Sequence, residues 1–89
     1  MKALAQTHQF ARDMKRMIRR GKDPARMRAV VSLLARGEAL PPKYRDHPLR
    51  GERQGSRDCH VEPDWVLIYT TDAMWLRLER TGSHADLFE

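Results

Sequence analysis

Three histidines in the second half of the chain stand where acid–base chemistry is possible. They are His47 in Asp46-His47-Pro48-Leu49, His60 in Arg57-Asp58-Cys59-His60-Val61-Glu62-Pro63-Asp64-Trp65, and His84 in Thr81-Gly82-Ser83-His84. An imidazole gives and takes a proton near pH 7, because its unperturbed pKa is about 6.5. Two of them, one neutral and one protonated, meet the needs of RNA backbone cleavage. One removes the proton of a 2′-OH and the other protonates the leaving 5′-oxygen. Arg57 and Arg80 are candidate cations for the extra negative charge on the pentacoordinate phosphorus. Trp65 and Phe88 are rings on which an unpaired base can stack. Asp64 is either a base or an orienting carboxylate. A plainer reading of Asp64 is also open, acceptance of a backbone N–H at the turn after Pro63.

Cys59 sits between Asp58 and His60 but falls mid-strand on the face opposite His60, which predicts a buried, inert thiol. A zinc site built from Cys59 and the histidines has ligand atoms but none of the usual spacings, so no metal or other cofactor is expected.

These groups need a scaffold. Ala3 to Thr7 reads as an edge strand. Phe10, Met14, Met17 and Ile18 then recur at helical spacing, with Gly21 as the stop. Asp23-Pro24 is an N-cap followed by proline at the first helical position, and Met27, Val30, Val31 and Leu34 form the next apolar stripe, closed by Gly37. The result is an antiparallel helical hairpin with its basic residues outside. Leu40-Pro41-Pro42 is a rigid connector, and Tyr44 to Ser56 is a turn-rich loop. Arg57 to Val61 reads as a strand interrupted by a bulge or turn at Glu62-Pro63. Trp65 to Thr70 is apolar enough for a central strand. Met74 to Arg80 alternates, with Met74, Leu76 and Leu78 facing the core. Gly82 ends that strand, and Leu87 and Phe88 fold back onto the body. The order β-α-α-β-β-β defines an α+β domain over residues 1–89, a small antiparallel sheet packed by the N-terminal helical hairpin. In it Asp64 and His84 share one end of the sheet.

The net charge of +5 is unevenly spread: residues 1–37 carry ten Lys/Arg and two Asp, and residues 38–89 carry seven Lys/Arg and ten Asp/Glu. A basic first third favours a polyanion or an acidic protein as partner. No apolar run approaches the roughly 20 residues of a membrane span. The first residues lack the apolar core of a signal peptide, and the single cysteine fits a reducing compartment, so a cytoplasmic location is expected.

Together, Tyr44-Arg45-Asp46-His47-Pro48-Leu49, Gly51, Gly55, Arg57 to Tyr69 and Leu78 to Phe88 resemble the YafQ-type toxins of the RelE superfamily. Over the helical hairpin only the apolar and basic pattern agrees. In Gly51-Glu52-Arg53-Gln54-Gly55-Ser56, Glu52 and Gln54 stand where relatives tend to carry an aromatic residue and a lysine. The resemblance implies a RelE-like microbial-ribonuclease fold, β-α-α-β-β-β(α). It implies a type II toxin–antitoxin toxin that enters the ribosomal A site and cuts mRNA there without a metal. Expected partners are the ribosome with its rRNA, mRNA, and a cognate ribbon-helix-helix antitoxin of the DinJ/RelB type. His47, His60, Asp64, His84 and Phe88 match the family's active-site positions, with Arg57, Arg80 and Trp65 as supporting residues. A non-catalytic nucleic-acid- or antitoxin-binding module on the same fold is the alternative.

Overall fold

The computed structural model describes residues 1–89. Helix α1 (His8–Arg19) starts where the Thr7 hydroxyl accepts the Phe10 N–H at 2.9 Å. Gly21 then turns the chain at φ 94°, a left-handed conformation that suits a residue without Cβ. Helix α2 (Pro24–Ala35) opens on Asp23, whose carboxylate accepts the Ala25 N–H at 2.9 Å.

Five strands follow the order β1-β5-β4-β3-β2: β1 (Ala3–Gln6), β2 (His47–Pro48), β3 (Arg57–Glu62), β4 (Trp65–Thr71) and β5 (Trp75–Gly82). The α+β architecture agrees with the sequence, with one refinement. β1 pairs parallel to β5, so the sheet is mixed rather than wholly antiparallel. The helical hairpin covers one face, where Phe10, Met17, Met27 and Val30 pack on Trp65, Leu67, Leu76 and Leu78. On the other face Val66 and Ile68 are covered only by Leu87, with Leu49 beside them. That face stays otherwise open, and it carries the polar residues of interest.

Two strand irregularities decide which side chains reach it. The β3–β4 register shifts between His60 and Glu62, next to the Pro63 turn, as the sequence predicts. A second shift lies between Ile68 and Tyr69 of β4, which pair with Arg80 and Leu78, leaving Glu79 as the extra residue. Strict alternation from Leu76 and Leu78 would turn Arg80 under the helices. The bulge reverses the phase, so Arg80 joins the open face and Thr81 the buried one.

Met74 does not face the core. It is 73% exposed, because the Asp72 carboxylate accepts the N–H groups of Met74 and Trp75 at 2.8 Å each and holds Met74 in the turn. β5 ends at Gly82, as the sequence predicts. The tail forms a short helix, α3 (His84–Phe88), started by a reciprocal capping box between Ser83 and Asp86. Arg20, which caps the C-terminus of α1, holds Asp86 at 2.6 Å and ties this helix to the hairpin.

A Cβ at Gly82 would lie 2.9 Å from the Asp86 Cβ, so α3 can fold back against β5 only over a glycine. Gly82→Ala should therefore displace α3 and lower the unfolding free energy by about 1–3 kcal/mol. Urea denaturation measures the loss, and an unchanged midpoint would contradict the close packing assigned to this position.

Candidate active site

Cross-strand pairing assembles the open face in two rows. His47 of β2 pairs with Asp58 of β3, Asp58 with Ile68 of β4, and Ile68 with Arg80 of β5. Paired residues share a face, and neighbouring strands lie about 4.8 Å apart, so this row spans roughly 14 Å. The next row is His60, Val66 and Gly82, which leads directly to Ser83 and His84. One surface therefore collects the three histidines and Arg80 around an apolar floor of Val66 and Ile68.

Each polar group is held differently. The His47 ring nitrogens both face acceptors: Nδ1 lies 2.7 Å from the Arg45 carbonyl and Nε2 lies 3.0 Å from Asp58 Oδ1. The His60 Nδ1 lies 3.1 Å from the Pro63 carbonyl, so it is the protonated nitrogen and Nε2 is left as the basic one. Asp64 accepts the backbone N–H of His84 at 2.9 Å. Its carboxylate caps the first turn of α3 and fixes where the His84 ring begins. That ring lies 4.8 Å from Phe88, at 45°. The Arg53 guanidinium sits 5.9 Å from the far ring of the pair, Phe88, and donates to the Leu87 carbonyl at 3.4 Å.

Arg80 is anchored by a buried acid. Its Nε donates to Asp13 Oδ2 at 2.7 Å, and the same carboxylate accepts from Thr81 N–H, Gln9 and Arg16. Burial of Asp13 opposes its ionisation. The hydrogen bonds from Arg80, Gln9 and Thr81 outweigh that cost and hold its carboxyl below the ordinary range. Arg80 also lines an open cleft of about 400 Å³ with Arg53, Gln54, Ser56 and Ile68. A larger groove of about 590 Å³ lies on the other side of His60, between α2 and the one-turn helix Pro42–Tyr44.

Two of the residues nominated from sequence lie away from this surface. Trp65 is 0% exposed, and its indole N–H donates to the Thr81 hydroxyl at 2.9 Å within the core. It shares the strand phase of Leu67 and Tyr69, which pack under the helices, so no base can stack on it. Arg57 shares the phase of Cys59 and Val61. Its guanidinium is paired with Asp46 at 3.3 Å, and Asp46 also accepts the Tyr69 hydroxyl at 2.5 Å. That cluster braces the loop that carries His47, on the side away from the histidines. Cys59 is fully buried, and burial pushes its thiol far above the usual range, in keeping with an inert side chain.

The sequence reading missed three contributors. Asp58 lies at the centre of the first row and is 4% exposed. Burial raises its carboxyl above the ordinary range, while His47, His60 and His84 pull it down and Asp46 adds to the rise. The signal was present, since Asp58 has the same strand phase as His60. Arg53 and Asp13 were missed because the partners that bring them to the site lie far away in sequence, Leu87 and Phe88 for Arg53 and Arg80 and Thr81 for Asp13. No group of three or more His, Cys, Asp or Glu side chains comes together in an arrangement that would hold a metal ion. No helix is long and apolar enough to cross a membrane.

The family model described as the bacterial toxin of a type II toxin–antitoxin system, YafQ, matches residues 2–89, and the chain belongs to that family. A curated relative, the mRNA interferase toxin YafQ of Escherichia coli strain K12, is 47% identical over 81 residues, covering 90% of this chain and 88% of the relative. The crystal structure of YafQ from Escherichia coli strain BL21(DE3) superposes with a TM-score of 0.94 at 41% identity, covering all of both chains. A chain from the crystal structure of the Escherichia coli DinJ–YafQ complex matches with a TM-score of 0.93 at 42% identity, again over all of both chains.

Trp65→Phe should cost about 1 kcal/mol of stability, because it removes one buried hydrogen bond and keeps the ring. Thermal unfolding measures that loss. A variant as stable as the parent but impaired in RNA binding would return Trp65 to the site.

Proposed function

We propose that this chain is an mRNA interferase, an endoribonuclease that cuts mRNA in the ribosomal A site without a metal and so stops translation. The observation that carries the reading is the placement of His60, His84 and Arg80 on one open sheet face, around the apolar floor of Val66 and Ile68. Residues 1–89 act as one RelE-like toxin domain in the cytoplasm.

His60 Nε2 takes the proton of the 2′-OH, since Nδ1 is turned to the Pro63 carbonyl. The 2′-oxygen attacks phosphorus and the bond from phosphorus to the 5′-oxygen breaks. His84 gives a proton to that leaving oxygen. The products are a 2′,3′-cyclic phosphate and a 5′-hydroxyl. Arg80, braced by Asp13, faces the charge that gathers on the phosphoryl oxygens. Phe88, 37% exposed beside His84, is the ring on which a nucleotide base rests. Asp64 acts through the backbone of His84 as a positioning group.

The basic residues on the outer faces of α1 and α2 suit contact with rRNA, an interaction that weakens as salt rises. The same charge invites an acidic segment of a cognate ribbon-helix-helix antitoxin. The complex of the Escherichia coli relative with DinJ supports such a partner.

Cleavage on translating ribosomes tests the assignment. His84→Ala should slow it by at least about 100-fold, the low end of the contribution of a general acid. A chelator selective for transition metals, with magnesium kept for the ribosome, should leave the parent protein active. Undiminished cleavage by His84→Ala would remove the acid role, and loss of parent activity in the chelator would point to a metal.

A further inference from the structure

Arg53 has no task in the acid–base scheme above, yet its guanidinium lies beside the Phe88 ring that packs on His84. It closes the one-turn helix Gly51–Arg53, in the loop between β2 and β3. Backbone hydrogen bonds pin that loop. Gln54 N–H donates to the Gly51 carbonyl and Ser56 N–H to the Arg53 carbonyl, at 3.0 Å each, and Leu49 N–H closes the base on the Ser56 carbonyl at 2.9 Å. The Arg53 side chain therefore starts from a fixed point. It is partly buried, and it donates to the Leu87 carbonyl at 3.4 Å. That carbonyl lies in the last turn of α3, where carbonyls lack helical partners and attract a cation.

A guanidinium is charged at every working pH and carries five N–H donors. Arg53 spends one on Leu87 and takes part in none of the ion pairs of the chain. Arg80, which lines the same cleft of about 400 Å³, is matched by Asp13 at 2.7 Å. Ser56 and Gln54 add a hydroxyl and an amide to the lining. Two glutamates also border the cleft. Glu79 is held by the Thr70 hydroxyl at 3.1 Å and by Arg77 at 3.6 Å, and Glu52 is exposed, where water and salt screen it. An unmatched positive charge thus faces a polar cleft next to His84. We propose that Arg53 binds the RNA phosphate on the 3′ side of the cut, so that Arg80 meets the reacting phosphate and Arg53 the next one. This rests on the ribonuclease reading above and deepens it, giving the 3′ flank of the substrate a place. The direction follows from His84. As the group that protonates the leaving 5′-oxygen, it lies by the nucleotide that departs, and Phe88 and Arg53 lie on its side of the face. The guanidinium fork fits two oxygens of one phosphate.

A neutral linkage separates phosphate binding from a merely structural clasp on α3. The probe is an mRNA with a methylphosphonate in place of the phosphate that follows the first nucleotide after the cut. On translating ribosomes the parent protein should cut it about 10-fold more slowly than the unmodified mRNA, the loss expected for one charge-assisted contact. Arg53→Ala should slow cleavage of the unmodified mRNA by a similar factor. In Arg53→Ala the neutral linkage should add less than about 2-fold, because the contact is already gone. Arg53→Lys, which keeps the charge and loses the fork, should fall between the two. A parent indifferent to the neutral linkage overturns the proposal, and this arm needs no variant to fold. Equal slowing by the linkage in the parent and in Arg53→Ala overturns it as well, and leaves Arg53 as a clasp on α3. A parent that cuts the unmodified mRNA and fails either comparison thus sinks the proposal alone. If the parent cuts no mRNA on ribosomes, the ribonuclease reading fails and the proposal falls with it.

Discussion

One buried carboxylate sets how the two halves of this protein meet. Asp13 projects from α1 to the outer edge of β5, just past the point where β1 stops pairing, and it is 0% exposed. An ionised carboxylate in that position costs several kcal/mol unless it is surrounded by donors. Here it accepts from Arg80, Thr81, Gln9 and Arg16. Those donors come from its own helix and from the far end of β5, so the charge is satisfied only when α1 lies in one register on the sheet. The same register brings Arg16 and Arg20 to Asp86, and so docks α3. One helix thereby fixes a cation of the cleft and the short helix that carries His84.

The sheet then distributes the chemistry. Its helix-covered face is apolar and closed, and its open face has an apolar floor only two residues wide, Val66 and Ile68. Polar side chains reach that floor because two irregularities break the alternation of the strands. The shift after His60 makes room for the Pro63 turn that holds its ring. The bulge at Glu79 turns Arg80 outward. In a perfectly regular sheet Arg80 would compete with Leu76 and Leu78 for space under the helices. The irregular parts of the sheet are the parts that aim the candidate site residues.

The helical hairpin was legible from sequence because its signals are local: a cap at Asp23, a proline after it, and glycine stops at Gly21 and Gly37. The central strand was legible from its apolar run, and the pairing of Asp64 with the start of the tail followed from antiparallel order. The parallel docking of β1 was not legible. Ala3 to Gln6 has no alternation to give a phase, and its partner Trp75 to Leu78 lies some seventy residues on. Helix α3 is five residues long, too short for a periodic pattern, although Ser83 and Asp86 held its capping box. Within the candidate site, the errors came from reading adjacency instead of strand phase. Trp65 and Arg57 sit beside candidate site residues in sequence but alternate onto the helix-covered face. Asp58 alternates onto the open face with His60 and was passed over.

The chemistry of the cut ends tests the central claim, that this face carries out acid–base cleavage through the 2′-OH of the mRNA. Translating ribosomes loaded with an mRNA that is cut by the protein should release fragments ending in 2′,3′-cyclic phosphate, each paired with a 5′-hydroxyl. A 2′-deoxy substitution at the nucleotide before the cut should abolish cleavage there. Ends bearing a 3′-hydroxyl and a 5′-phosphate, or undiminished cleavage at the 2′-deoxy position, would show that water and not the neighbouring hydroxyl attacks phosphorus, and would contradict the account.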